Sequence, residues 1–205
     1  MRALTRRLAL SLTAAALIAP SALTAQELIP LDDLSRYLNG IDTAQSSFTQ
    51  VNADGTVSTG TIYLHRPGRV RFEYDGADAG VLVMAGGGQL AIFDGRSNAM
   101  PEQYPLRRTP LSLILADEID LSRSNMVSDH FGDATSTTIT ARDPERPEIG
   151  TIQLVFTADP VELRQWVITD EGGTQTTVIL GALERGARLA SRLFSIQSEL
   201  RSRGF

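Results

Sequence analysis

Short alternating runs separated by turn residues dominate the chain from Ser46 to Gly181 and constrain its fold most. SSFTQVN, VSTGTIYLHR, RVRFEY and QLAIFD come first, with the more evenly apolar GVLVMA ahead of QLAIFD; TSTTITAR, GTIQLVFT, LRQWVITD and TQTTVILG follow. Period-two alternation between such boundaries is the signature of strands with one buried face. Val70, Phe72 and Tyr74 share a side, with Arg69, Arg71 and Glu73 on the other; Ile152, Leu154 and Phe156 share a side, as do Trp166 and Ile168. Turns are signalled at Asn52 to Gly55, at Gly86 to Gly88, and at Asp170 to Gly173, where the last two runs form a hairpin. ARDPERPEIG, with two prolines, reads as a loop. The pattern predicts one large twisted antiparallel sheet, apolar on one face and rich in Thr, Arg, Gln and Glu on the other.

Two segments break the alternation. LDDLSRYL places Leu31, Leu34, Tyr37 and Leu38 at helical spacing, with Gly40 as a stop. TPLSLILADEI, from Thr109, has Pro110 at a first-turn position and Leu111, Ile114 and Leu115 at helical spacing. An apolar sheet face must be covered. Two short helices are thin cover for so many strands, so part of that face is expected to line a cavity.

One residue fits the alternation badly. Ile62 and Leu64 share a face, and by parity Arg66 shares it too, immediately before Pro67. Two readings stand. The arginine can be a strand-end side chain whose head swings into water along an apolar stem. Alternatively its guanidinium sits at the wall of an apolar cavity, where backbone carbonyls or a ligand must satisfy its donors.

The N-terminus points to export. Arg2, Arg6 and Arg7 precede the apolar run Leu8 to Ile18, and a small-residue stretch ends in SALTAQ. That is the arrangement of a secretory signal peptide, and the run is short for a membrane span. Cleavage after Ala25 leaves a single domain over 26–205. The chain has no cysteine, so neither disulfides nor acylation of a cysteine at the cleavage site is available. Loss of residues 1–25 removes three of the nineteen basic residues, all arginines, and no acid, leaving sixteen against twenty-four. An acidic product is a poor partner for nucleic acid or anionic lipid surfaces.

Catalytic chemistry finds little support. His65 and His130 are the only histidines and have no metal-ligand spacing. Neither G-x-S-x-G nor H-E-x-x-H occurs, and Gly86 to Gly88 is followed by no Lys-Ser or Lys-Thr pair. The pairs Asp32-Asp33 and Asp117-Glu118 read as helix-end or solvated charges. No catalytic residue, metal or cofactor is expected.

SFTQ at Ser47 to Gln50, then Gly60, then LHRPGRVRFEY, resembles the outer-membrane lipoprotein carrier proteins of the LolA chaperone family. The resemblance continues through QLAIFD, TPLSLILA and LRQWVITDEGGTQTTVIL. It departs at MAGGGQLAIF, at Phe72 where tryptophan is common, and in the arginine-containing C-terminal tail. The resemblance implies a mainly β, α+β fold, an incomplete antiparallel β-barrel with an α-helical lid over a hydrophobic cavity. It implies a monomeric periplasmic chaperone that receives acylated lipoproteins released by an inner-membrane ABC transporter and hands them to an outer-membrane receptor. The arginine of the family's R-P motif falls on Arg66, implying a link between barrel wall and lid. Strand parity assigns Ile62, Leu64, Phe72, Tyr74, Ile92, Leu154, Phe156, Trp166 and Ile168 to the inward face, and Leu111 and Ile114 join them from the second helix. Rival readings on the same fold are a lipid- or lipoprotein-sensing regulatory module and a shuttle for another amphiphile, such as a glycolipid.

Overall fold

The computed structural model describes residues 28–123, 125–133 and 135–205. The expected signal peptide lies outside the described residues. The first element is helix α1 (Leu31–Asn39). Asp32 and Asp33 occupy its first turn, where acidic side chains complement the helix dipole. It buries Leu34 and Leu38 and ends as the backbone N–H of Gly40 returns to the carbonyls of Arg36 and Tyr37. The expected stop is where the sequence puts it.

Five strands follow in a meander: β1 (Thr43–Val51), β2 (Val57–His65), β3 (Arg69–Tyr74), β4 (Leu82–Gly86) and β5 (Gln89–Phe93). A short edge strand β6 (Glu102–Pro105) leads to helix α2 (Leu111–Ile114). The second half comprises β7 (Val127–Gly132), β8 (Ser136–Arg142), β9 (Thr151–Ala158), β10 (Val161–Thr169), β11 (Gln175–Leu180), the two-residue β12 (Glu184–Arg185) and helix α3 (Ile196–Ser202).

Among the described residues all twelve strands belong to one sheet, ordered β6-β5-β4-β3-β2-β1-β11-β10-β9-β8-β7, with β12 beside β1. Every named pairing is antiparallel. The two halves join where β1 meets β11, and β6 and β7 stay as unpaired edges, so the barrel is incomplete.

Register builds the inner face. Ile62 lies opposite Phe72, Phe72 opposite Val83, and Val83 opposite Ile92, a stripe across four strands. In the other half Val178 faces Trp166, Trp166 faces Leu154, and Leu154 faces Ile139. An aromatic series joins the halves: Phe48 meets Phe72 edge-on at 5.4 Å and Tyr74 at 5.2 Å, and Phe72 meets Trp166 at 6.3 Å. Gly60, opposite Phe48, makes room for it. A Cβ there would lie 2.0 Å from the Glu73 carbonyl oxygen and 2.7 Å from Phe48 Cε1.

Two expectations need correction. Helix α2 is a single turn, although its sequence pattern runs on to Ile119. Its following carbonyls are drawn away: Gly68 N–H donates to Leu115 O at 2.8 Å, and Ala116 O and Asp117 O accept from Arg66. The outer face is also not polar throughout. Leu82, Met84, Ala91 and Phe93 form a second apolar cluster on the reverse of β4 and β5, covered by Ile196 and Leu200 of α3. Arg71 reinforces the cover, donating to Leu193 O at 3.2 Å and to Glu199 Oε2 at 3.1 Å. Burial alone would raise the Glu199 pKa, but bonds from Arg203 and Arg71 outweigh it and hold the carboxyl below the usual range.

Candidate functional site

Arg66 follows the last residue of β2 and is buried, at 9% exposure. Its Nε donates to Ala116 O at 3.0 Å, and Nη2 donates to the same oxygen at 2.7 Å. Nη2 also reaches Asp117 O at 3.1 Å and Asn39 Oδ1 at 3.0 Å, while Nη1 donates to Leu38 O. One side chain therefore joins the sheet to the C-terminal end of α1 and to the segment after α2. A cation at the carbonyl end of α1 is well placed for the helix dipole. Burial lowers the guanidinium pKa, and Asp42 and Asp117 oppose the shift. The group is still charged at neutral pH. The reading in which the arginine head lies free in water is excluded by these contacts.

The lid carries its own stitching. Asn39 Nδ2 donates to Ile119 O at 2.8 Å, and Ile119 N–H returns to Asn39 Oδ1 at 3.0 Å. Ser35 Oγ accepts from Leu121 N–H at 2.9 Å, and Ser122 donates to Asp32. Helix α1 and residues 115–122 thus form a continuous cover, and Arg66 fastens it to the strand wall.

Under and beside this cover the apolar face is incompletely filled. A cavity of about 610 Å³ has Phe72, Tyr74, Ile92, Leu111, Trp166 and Ile168 in its walls. Burial pushes the Tyr74 pKa up to about 12, so its neutral hydroxyl donates to Gln50 Oε1 at 2.8 Å. A cleft of about 240 Å³ runs along residues 112–121, reaches the surface at Glu118, Asp120 and Arg123, and is bordered by Ile114 and Leu154. A third void, of about 30 Å³, sits directly at the latch, bordered by Ile62, Leu64, Arg66 and Ile114. Phe156 borders none of the three; it is fully buried core, met edge-on by Tyr37 at 5.8 Å.

The family model described as "Outer membrane lipoprotein carrier protein LolA" matches residues 39–197. The chain belongs to the LolA family. A search of curated proteins found no match. Among solved structures, a LolA superfamily protein from Nitrosomonas europaea is similar at 9% identity and TM-score 0.42, over 82% of this chain and 99% of that one. An uncharacterized conserved protein from Thermus thermophilus is similar at 10% identity and TM-score 0.47, over 80% and 90% respectively. MucB, solved in complex with MucA(peri), is similar at 18% identity and TM-score 0.38, over 82% of this chain and 59% of that one. LolA-family proteins are periplasmic carriers of lipoproteins. Among the described residues of this member, no helix is long and apolar enough to cross a membrane.

Strand parity missed Val83 and Leu90, which also line the large cavity of this LolA-family chain. Leu90 shares the parity of Ile92, and Val83 lies opposite Ile92, so the signal was present in the alternation of β4 and β5. Asn39 gave no such signal. Its amide bridges α1 to Ile119 and also accepts from Arg66.

Proposed function

We propose that this protein binds acylated lipoproteins in the periplasm, holding acyl chains in the cavity beside the Arg66-fastened lid and in the space the lid covers, and carries them to the outer membrane. An inner-membrane ABC transporter supplies the cargo and an outer-membrane receptor accepts it. The observation that carries this reading is a largely apolar cavity of roughly 610 Å³, beside a lid that a buried arginine fastens over a second apolar void.

The pairing makes physical sense for a carrier. Burying one acyl chain of about fifteen methylenes is worth up to roughly 12 kcal/mol, at ~0.8 kcal/mol per methylene. A protein that gained all of this would not release its cargo. Hydrogen bonds to a charged donor contribute about 1.5–3 kcal/mol each, and a ligand that lifts the lid must break them. Net affinity falls, and closure of the lid favours release.

Native mass spectrometry of protein isolated from the periplasm tests the reading. A bound triacylated polypeptide is the expected result. A bound glycolipid would point to a different shuttle, and a tightly held membrane-anchored signalling protein would point to a regulatory module.

A further inference from the structure

The latch and the large cavity occupy different parts of the molecule. Neither Arg66 nor its partners Leu38, Asn39, Ala116 and Asp117 line the 610 Å³ cavity, which meets the second helical segment only around Thr109, Pro110 and Leu111. That cavity opens to solvent with the latch closed. At its mouth Tyr104 is 44% exposed, and the side chains of Arg108 and Glu171 are 62% and 66% exposed. The two smaller voids differ. Leu38 and Ile114 border both of them, but Arg66 closes only the smaller, while the 240 Å³ cleft reaches the surface at Glu118, Asp120 and Arg123. Trp166, at 2% exposure, borders both the open cavity and the small void and so forms the partition between them.

From this arrangement we infer that the site consists of two separately gated compartments. The outer one admits a single-chain amphiphile while Arg66 stays latched. The inner one forms at the latch void, beside Ile62, Leu64 and Ile114, only when the latch breaks and Ile114 moves. The volumes support the division. About 610 Å³ falls within the ~300–1,000 Å³ range of ordinary small-molecule sites. The latch void, about 30 Å³, has room on the order of one water. Lysolipids and free fatty acids are therefore ligands in their own right. A multi-chain ligand seats one chain first and needs the lid open for the others. The inference rests on the carrier reading for the multi-chain ligand alone.

Binding of palmitoyl-lysophosphatidylcholine, below its micelle concentration, and of a triacylated lipopeptide is measured on the full chain and on Arg66→Leu. The expected result is a less than twofold change for the lysolipid and at least a tenfold gain for the lipopeptide. Hydrogen exchange of the wild type supplies a second readout that needs no variant. The Ile119 and Leu121 amides, which bond to Asn39 and Ser35, keep their protection with lysolipid and lose it with lipopeptide. Lysolipid that fails to bind, that gains affinity in parallel with the lipopeptide, or that deprotects these amides overturns the inference. Lysolipid that binds without deprotection, while lipopeptide does not bind at all, upholds the two compartments and sinks the lipoprotein-carrier reading instead.

Discussion

Arg66 and Ala116 are joined by two hydrogen bonds to one carbonyl oxygen, from Nε at 3.0 Å and from Nη2 at 2.7 Å, across fifty residues of chain. A planar fork is required for this contact, because both donors must point at the same acceptor. Arg66→Lys offers a point charge instead and should hold the lid only partly. Asn39→Ala removes one of the five lid bonds of Arg66 and both bonds to Ile119. Each variant should bind a triacylated lipopeptide with an affinity between that of the wild type and that of Arg66→Leu. Affinity equal to the wild type in both would count against the latch.

Gly60→Ala tests the packing that sets the inner face. The new methyl group would meet the Glu73 carbonyl oxygen and the Phe48 ring. Overpacking of this kind costs about 1–3 kcal/mol, because β2 and β3 must part or Phe48 must leave its place beside Phe72 and Tyr74. A lowered denaturant midpoint with an unchanged m-value is the expected outcome.

Glu199→Ala probes the cover on the reverse of the sheet. Its carboxylate pairs with Arg71 at 3.1 Å and with Arg203 at 2.8 Å, and its side chain is 17% exposed. Removal leaves Arg71 without its α3 carboxylate and weakens the docking of Ile196 and Leu200, at a cost of about 2–3 kcal/mol. Thermal unfolding reads the loss, and protease cleavage near the C-terminus should accelerate.

His65 gives a pH dependence. Burial pushes its pKa down, with Arg69 adding to the effect and Asp42 opposing it. Its Nδ1 is buried without a hydrogen-bond partner among the described residues, and the ring stands edge-on to Phe194 at 5.7 Å. A lowered folded-state value means that the unfolded chain binds the proton more readily. The neutral ring's contribution is therefore fully present above about pH 6.5, the ordinary histidine value, and is lost as pH falls below it. His65→Phe should flatten the stability profile below about pH 6.5. An identical slope in both proteins would refute the assignment.

Much of the architecture was legible because it depends on side-chain alternation. Leu34 and Leu38 announced α1, Asp170 to Gly173 announced the last hairpin, and Ile62 and Leu64 placed Arg66 on the inner face. The partners of Arg66 were not legible. Four of its five bonds end on backbone carbonyls, which carry no signature of residue type. Edge strands β6 and β7 were missed because EQYP and VSDHFG expose most of their residues and lack an apolar face. Helix α3 was missed because seven residues bearing two buried apolar side chains give too short a period. Its counterpart was visible in the evenly apolar GVLVMA, since a strand covered on both faces does not alternate.

The proposed carrier role predicts that Arg66 acts on the retention of cargo. The decisive measurement is the rate at which a triacylated lipopeptide leaves the wild type and Arg66→Leu, with transfer to acceptor membranes followed in the same preparation. Loss of the latch bonds should slow dissociation from the leucine variant at least tenfold, a change of about 1.4 kcal/mol, and should slow transfer with it. Equal dissociation rates together with normal transfer would contradict the latch and leave Arg66 as a structural tie alone.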